Sequence, residues 1–306
     1  MSSTDRATFA GRWAEAVADG PDRPFLDFED TTGKVTRWTY DEFDALVSRV
    51  AGGLAQRGVS PGRAVHVALT NSPAFVATWL AAARLGGWLV PSDPKATAPE
   101  LSGHLGRTRP AVGVCSPERA DIYRDAVAAV KESDRPVVVA VDEADPEVAG
   151  LIGPSLGLAA LAAPAPRDRL AVMFTSGTTS APKGVEVTQA NYAFAGDVMA
   201  AAAALRAGDR QLVVLPMFHA NAQYYSFASA ISVGASVALM HGFSASGFLE
   251  QAARHKATHA SLFAAPMRMI LARGATPVAG LHLRHVWYAQ NVSDDQYQTD
   301  PRQETR

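Results

Sequence analysis

The segment FTSGTTSAPKGVEVT, residues 174–188, decides the fold of this chain. It crowds hydroxyl side chains around Gly177 and continues into a Pro-Lys-Gly triplet. The apolar run before it (169–175) predicts one strand, and GVEVT (184–188) predicts a second. A loop of Gly, Ser and Thr between two strands can turn backbone N–H groups and hydroxyls towards an anion. We therefore predict an oxyanion cradle for phosphate, with Lys183 as its point charge.

This segment differs from the P-loop of nucleoside triphosphatases. A P-loop has Gly-x-x-x-x-Gly-Lys followed by Ser or Thr, and it opens a helix. Here Gly184 follows Lys183, and the next predicted element is a strand. A P-loop enzyme is therefore a poor match. A surface turn rich in Ser and Thr is the remaining alternative, and the apolar strands on both sides argue against it.

The rest of the chain alternates short apolar runs with amphipathic helices, which is typical of an α/β protein with mainly parallel strands. Thr39 and Glu42 have the spacing of a capping box at the start of one helix. Residues 154–168, rich in Ala, Pro and Leu, are interpreted as a connection between two lobes. We predict two lobes of mainly parallel sheet flanked by helices, residues 1–165 and 166–306, with the phosphate loop in the second.

Two later helices illustrate the predicted boundaries. One covers 117–132, and the other runs from Gln189 to Leu205 with Thr188 as its N-cap. Residues 211–249 contain no Asp, Glu, Lys or Arg. A membrane span is one interpretation of that segment. A buried strand–helix–strand unit accounts better for it, because polar residues and a proline interrupt the apolar run at short intervals.

The overall composition excludes several classes of function. The chain has 306 residues, a net charge of −2 and scattered Lys and Arg, so no basic footprint for nucleic acid is present. A single cysteine, Cys115, excludes an internal disulfide framework and favours a reducing compartment. Charges occupy the N-terminus where a signal peptide needs an apolar core. We therefore predict a cytoplasmic location, no nucleic-acid partner and no membrane span.

The motif TSGTTSAPKG, residues 175–184, resembles the signature of the acyl-adenylate-forming superfamily, which contains acyl-CoA synthetases, luciferases and amino-acid adenylation domains. The usual form is Thr-Ser-Gly-Thr-Thr-Gly-x-Pro-Lys-Gly, and this chain departs from it only at Ser180. The resemblance extends from about Trp38 to Tyr297 and includes LGGWLVPSDP and LPMFHANAQYYS in the expected order. The second of these segments is most similar to the crotonobetaine/carnitine–CoA ligase branch.

The resemblance implies an ATP-dependent carboxylate–CoA ligase. Such enzymes join a carboxylic acid to the α-phosphate of ATP, release pyrophosphate, and then form a thioester with CoA. The β- and γ-phosphates would be held by the loop residues Thr175, Ser176, Gly177, Thr178 and Thr179. Lys183 would supply positive charge, and oxygens of ATP itself would be most of the ligands of Mg²⁺. Lys183 and His219 are the implied catalytic residues.

The resemblance also implies the walls of the substrate sites. His219 occupies the position of a gate between the nucleotide and acyl sites, the alternative being a core histidine with satisfied hydrogen bonds. Amino-acid adenylation domains have Asp at this point, so an α-amino acid substrate is not expected. The predicted acyl-pocket residues are His219, Asn221, Gln223 and Tyr224, with plain packing as the alternative for the last three. The predicted adenine contacts are Ala289, Gln290 and Asn291.

Three elements that follow in this superfamily are not found in the sequence. They are a Tyr-Gly-x-Thr-Glu segment, an Asp for the ribose, and a small C-terminal domain with a catalytic Lys. After Tyr297 the sequence has no large apolar side chain. We therefore expect the N-terminal portion of the fold, without the C-terminal domain and with little or no ligase activity alone. A complementing C-terminal polypeptide would restore activity; the alternative is a non-catalytic remnant or nucleotide-binding fragment.

Overall fold

The computed structural model of the chain describes residues 7–156, 162–175, 183–273 and 278–289. Strands and helices alternate through these ranges. The strands are Pro24–Glu29 (β1), Val35–Thr39 (β2), Ala64–Ala68 (β3), Trp88–Pro91 (β4), Val112–Cys115 (β5), Val137–Ala140 (β6), Arg169–Thr175 (β7), Lys183–Thr188 (β8), Arg210–Val213 (β9), Ser236–Met240 (β10), His259–Phe263 (β11) and His285–Ala289 (β12). The α-helices are Phe9–Asp19 (α1), Tyr40–Gln56 (α2), Pro73–Arg84 (α3), Ala98–Thr108 (α4), Ala120–Ala128 (α5), Gln189–Ala202 (α6), Ser229–Val233 (α7), Phe248–Arg254 (α8) and Ala264–Leu271 (α9).

Within those ranges the strands form two six-stranded sheets. One has the order β12-β11-β9-β10-β1-β2, and the other has the order β6-β5-β3-β4-β7-β8. Neighbouring strands are parallel except in the edge pairs β1–β2 and β7–β8. Helices flank both sheets, so the predicted α/β class with mainly parallel sheet is confirmed.

The predicted boundary at residue 165 does not separate the two sheets. The early strands β1 and β2 complete the sheet of β9 to β12, and β7 and β8 complete the sheet of β3 to β6. In the first case β1 lies parallel to β10, with Leu26 paired to Val237. Local composition marks where a connection lies along the chain, but it carries no information about which distant strand an edge strand joins.

One continuous apolar core joins the two sheets. Every residue of α3 is buried, and the core cluster around this helix includes Phe25 of β1, Val65 of β3 and Val237 of β10. Phe9 of α1 stacks on Trp79 of α3 with ring centroids 4.7 Å apart. Removal of this much apolar surface from water is the main stabilising contribution to the arrangement of the sheets.

The predicted N-caps of α2 and α6 are confirmed, and two predicted helices are longer than the observed ones. Thr39 and Glu42 form the capping box of α2, and the Thr188 side chain caps α6. The predicted helix 117–132 is a 3₁₀ turn followed by α5, which ends at Ala128. The helix α6 ends at Ala202 because the chain turns into the left-handed region at Ala204, where φ is 50°.

The uncharged segment 211–249 folds as the predicted buried unit. It contains β9 from its second residue onward, a π-helical turn Ala222–Ala228 that continues into α7, and the strand β10, which is buried at every position. Among the residues with described positions, no helix combines the length and the apolarity that crossing a bilayer requires.

The close packing of α2 predicts that one added methyl group strongly lowers the stability of the protein. A Cβ added to Gly53 would lie 1.8 Å from the carbonyl oxygen of Leu151, which is a backbone atom and not the end of a flexible side chain. We expect Gly53→Ala to lower the free energy of unfolding by about 2 kcal/mol through overpacking. The matched control is Gly106→Ala in α4, where nothing lies within 4 Å of the added Cβ. It is expected to stabilise by roughly 0.5–1 kcal/mol. Urea unfolding of both variants checks this, and equal effects would contradict it.

Candidate functional site

A cavity of about 920 Å³ lies at the carboxyl ends of β4 and β7. Its wall includes Ser92 and Asp93, which follow β4, and Thr175, which ends β7. The wall is extended by His104 of α4 and by His219, which follows β9 of the other sheet. The carboxyl edge of parallel strands is the usual place for a ligand in open α/β sheets. The fold therefore places the end of β7, where the predicted phosphate loop begins, at a cavity in the usual position for a ligand.

The predicted strand–loop–strand order around the phosphate loop is confirmed. Thr175 of β7 is paired with Lys183 of β8, and the Thr175 hydroxyl donates a hydrogen bond to the Lys183 carbonyl oxygen at 3.4 Å. The two ends of the predicted loop are thereby held together. The other predicted phosphate contacts, 176–179, lie outside the described residues. A strand begins at Lys183, so the distinction from a P-loop, which opens a helix, holds in the structure.

The two ends of the loop have different surroundings. Thr175 contributes to the cavity wall, whereas Lys183 is exposed at the first position of β8 and is not among the wall residues. A lysine side chain is long and flexible, so its ammonium group can reach an anion bound at the loop. The arrangement provides a hydroxyl at the cavity and a positive charge at the facing end of the hairpin.

His219 is exposed and contributes to the cavity wall. Its ring packs against Phe218 with centroids 4.2 Å apart. Partial enclosure by the protein lowers the pKa of His219, against the opposing charge of Asp93, so the imidazole is neutral at neutral pH. An exposed ring at a cavity wall does not fit the alternative of a core histidine. The gate role stays a prediction.

The other predicted acyl-pocket residues do not line this cavity. Gln223 is fully buried; it accepts a hydrogen bond from the Tyr192 hydroxyl at 2.5 Å and donates one to the Met217 carbonyl at 2.6 Å. Asn221 accepts a hydrogen bond from Ser261 at 2.8 Å. Tyr224 packs edge-on against Tyr192 with ring centroids 4.7 Å apart. These contacts fit the alternative of packing. Gln223 and Tyr224 lie in the π-helical turn, whose residue spacing is wider than that of an α-helix.

The predicted adenine contacts are only partly described. Ala289 is the last residue of β12, where it pairs with Phe263 at the edge of its sheet. Gln290 and Asn291 lie outside the described residues. In the described portion of the chain, no group of three His, Cys, Asp or Glu side chains could hold a metal ion.

Sequence reasoning missed the contribution of α4 to the cavity. The His104 ring stacks on Phe174, with centroids 4.0 Å apart and planes 3° from parallel. The Arg107 guanidinium lies 4.4 Å from the centroid of the same ring. Ser92 and Asp93 were identifiable in principle, because they follow a buried strand at the same edge as Thr175. No local pattern distinguishes His104, whose position depends on the packing of α4.

The two sheets, the flanking helices and the cavity at their carboxyl edge define the fold of adenylate-forming enzymes. The chain belongs to the AMP-binding enzyme family, whose sequence profile matches residues 13–302. It is 28% identical over 291 residues to the crotonobetaine/carnitine–CoA ligase of Salmonella typhi, covering 92% of this chain and 56% of that protein. The predicted resemblance to this branch is therefore confirmed.

Two solved structures show the same fold. The inhibitor-bound N-terminal domain of FACL13 from Mycobacterium tuberculosis superposes with a TM-score of 0.77 at 22% identity, covering 97% of this chain and 73% of that chain. Apo MbtA from Mycobacterium smegmatis superposes with a TM-score of 0.79 at 24% identity, covering 93% of this chain and 52% of that chain. The chain spans about half the length of the curated relatives that it matches.

Proposed function

We propose that this chain is the ATP-binding part of a carboxylate–CoA ligase that forms an acyl adenylate. One observation carries the proposal: Thr175, paired with Lys183 at the base of the predicted phosphate loop, lines the same cavity as His219. In this proposal the loop 175–183 holds the β- and γ-phosphates of ATP. The family profile supports the nucleotide, since it is that of AMP-binding enzymes.

The proposed chemistry needs orientation and charge more than covalent participation by the protein. A carboxylate oxygen of the substrate attacks the α-phosphorus, the bond to the β-phosphate oxygen breaks, and pyrophosphate leaves. Lys183 and the loop hydroxyls stabilise the charge on the leaving group. Mg²⁺, for which oxygens of ATP itself would be the main ligands, would neutralise part of the same charge when bound. The neutral ring of His219 separates the nucleotide from the acyl group without adding charge.

The proposal also includes the class of acid substrate, the co-substrate and the cellular location. We infer a small carboxylic acid without an α-amino group, since His219 stands where amino-acid adenylation domains have Asp. CoA is the co-substrate of the thioester step, consistent with the name of the Salmonella relative. A cytoplasmic location fits the free buried thiol of Cys115.

A second candidate function is favoured by the length of the match. Because the chain spans 56% of the ligase of Salmonella typhi, the 306 residues alone are proposed to bind nucleotide with little or no ligation. Completion by a C-terminal polypeptide would then supply the thioester step.

Pyrophosphate release with a panel of carboxylates distinguishes these candidates. We expect the isolated chain to bind MgATP and to release negligible pyrophosphate with any acid. Robust carboxylate-dependent release that Lys183→Ala abolishes would contradict the proposed lack of activity and would establish a complete adenylating enzyme. Failure of the folded chain to bind MgATP would contradict both candidates.

A further inference from the structure

A buried chain of hydrogen bonds leads from the core to the cavity. The Tyr123 hydroxyl lies 2.7 Å from Nδ1 of His66, and Nε2 of His66 lies 2.9 Å from the Ser92 hydroxyl. The Ser92 hydroxyl also lies 2.8 Å from Nδ1 of His104. Tyr123 and His66 are fully buried, whereas His104 is half-buried and lines the cavity. This series of hydrogen bonds thus joins the core to a wall residue of the proposed nucleotide site.

Each titratable side chain in this series of hydrogen bonds is uncharged at neutral pH. Burial lowers the pKa of His66 to about 3, and the neighbouring His104 adds to the shift. Burial, together with the charge of Arg107, lowers the pKa of His104 to about 4 against the opposing effect of Glu100. Burial raises the pKa of the Tyr123 hydroxyl well above its ordinary value. The tyrosine therefore keeps its proton, and each imidazole carries one N–H.

Only one direction of the hydrogen bonds satisfies the buried tyrosine. Within the described part of the chain, the Tyr123 hydroxyl has no acceptor except His66, and it fits against Gly113, where an added Cβ would lie 2.3 Å from the hydroxyl oxygen. It must therefore donate to Nδ1 of His66, because the reverse direction leaves its hydrogen buried without an acceptor.

That direction fixes the remaining hydrogens in turn. With Nδ1 accepting, His66 carries its hydrogen on Nε2 and donates it to the Ser92 oxygen. The Ser92 hydroxyl then donates to Nδ1 of His104, so His104 carries its hydrogen on Nε2. In the described part of the chain this N–H makes no hydrogen bond. The buried hydrogen bonds therefore fix the tautomer of His104, and its Nε2–H is a hydrogen-bond donor at the cavity.

We propose that His104 is a ligand-binding residue that donates its Nε2–H to a phosphate oxygen of the bound nucleotide. This inference rests on the proposed function. The ring of His104 stacks on Phe174, which directly precedes Thr175 at the start of the phosphate loop. Among the described hydrogen bonds neither acid of the wall bonds to the ring of His104: Asp93 accepts from the backbone N–H of Lys95, and Glu100 accepts from Thr97. The N–H of His104 remains available for an acceptor that the ligand brings.

The tautomer is tested without any ligand. Two-bond ¹⁵N correlation spectra of the imidazoles in the 306-residue chain distinguish Nε2–H from Nδ1–H. We expect His104 to be the Nε2–H tautomer in the wild type, and we expect Tyr123→Phe to let both tautomers be populated. An Nδ1–H tautomer in the wild type would overturn the inference, whether or not any variant folds.

Ligand binding is tested by calorimetric titration with MgATP. The variant His104→Phe keeps a ring to stack on Phe174 but has no N–H, and we expect its Kd to rise about tenfold, as for loss of a hydrogen bond to a charged acceptor. The variant His104→Gln supplies an amide N–H and is expected to recover part of the affinity. Circular dichroism of both variants establishes that they are folded.

The outcomes separate this inference from the proposed function. If the wild type binds MgATP more tightly than Lys183→Ala does, and His104→Phe binds it as the wild type does, the inference fails and the proposed function stands. If the wild type binds no MgATP, both fail. CoA is titrated separately as the other source of phosphate. A loss in His104→Phe confined to CoA would overturn the assignment to the nucleotide.

Discussion

Replacing Lys183 with alanine is expected to raise the Kd for MgATP roughly thirtyfold, which corresponds to about 2 kcal/mol for loss of a charged contact to phosphate. The reason is the position of this residue. It begins β8 directly opposite Thr175, so its ammonium group is the positive charge at the base of the proposed phosphate loop. The side chain is exposed, and its removal is expected to leave the fold intact. Isothermal titration calorimetry of the two proteins measures the change.

Lys131→Ala is the matched control for this prediction. Lys131 is also exposed, but it precedes β6 and therefore lies towards the amino ends of the parallel strands, away from the cavity. Its removal takes the same charge from the protein and is expected to leave the Kd unchanged within about twofold, since exposed charges beyond a Debye length are screened. Equal weakening in both variants would mean that net charge, and no particular site, governs binding.

Arg210→Met is expected to have the largest effect on stability. The Arg210 guanidinium contacts the Asp27 carboxylate at 3.1 Å and the His255 carbonyl oxygen at 3.1 Å, and its Nε donates to Ser236 at 3.0 Å. These bonds connect β9 with β1, with β10 and with the end of α8. Only 5% of the Asp27 side chain is exposed, and loss of Arg210 leaves this carboxylate with the largely exposed Arg37 and with His255 as its remaining partners. Breaking a buried ion pair costs about 3–5 kcal/mol when the remaining charge is left without a partner, and because Arg37 and His255 remain we expect a loss at the lower end, about 3 kcal/mol.

Urea unfolding at two pH values tests this prediction. Burial by itself would raise the pKa of Asp27, but contacts with His255 and two arginines outweigh it and lower the pKa. The ion pair therefore stabilises the wild type above about pH 4, the pKa of an unfolded Asp, and the contribution is lost as the pH falls through the lower folded pKa. Arg210→Met removes one of the charges that lower the pKa of Asp27, so its pKa rises relative to the wild type and the carboxyl protonates more readily.

The loss of unfolding free energy in Arg210→Met, relative to the wild type, should consequently be largest at neutral pH and smaller in acid. Arg167→Met, at an exposed position without an ion pair among the described residues, serves as the control and is expected to change stability by less than about 0.5 kcal/mol. A deficit of the same size at both pH values would show that packing, and not the buried charge of Asp27, is responsible.

Features set by neighbouring residues could be predicted from the sequence. The capping boxes at Thr39 and Thr188 are local patterns, and the strand–loop–strand order around Lys183 follows from two apolar runs and the residues between them. The position of Thr175 at a carboxyl edge follows from the parallel strands. These features were sufficient to predict the α/β class and the region of the candidate site.

Features set by residues far apart in the chain could not be predicted. The pairing of β1 with β10 joins strands more than two hundred residues apart, and no pattern within either strand identifies the partner. The bonds among Tyr123, His66, Ser92 and His104 depend on three-dimensional packing in the same way. Gln223 is in a segment without charged residues, and the π-helical turn in which it lies is not marked by any local pattern. In each case the information resides in tertiary contacts.

The most direct test of the central claim is a crystal structure of the chain with Mg²⁺ and a non-hydrolysable ATP analogue. We predict that the triphosphate lies against the loop between Thr175 and Lys183, at the carboxyl ends of β4 and β7, with a phosphate oxygen within hydrogen-bond distance of Nε2 of His104. A triphosphate bound elsewhere, for example in the separate cavity lined by Trp38 and Lys256, would contradict the account.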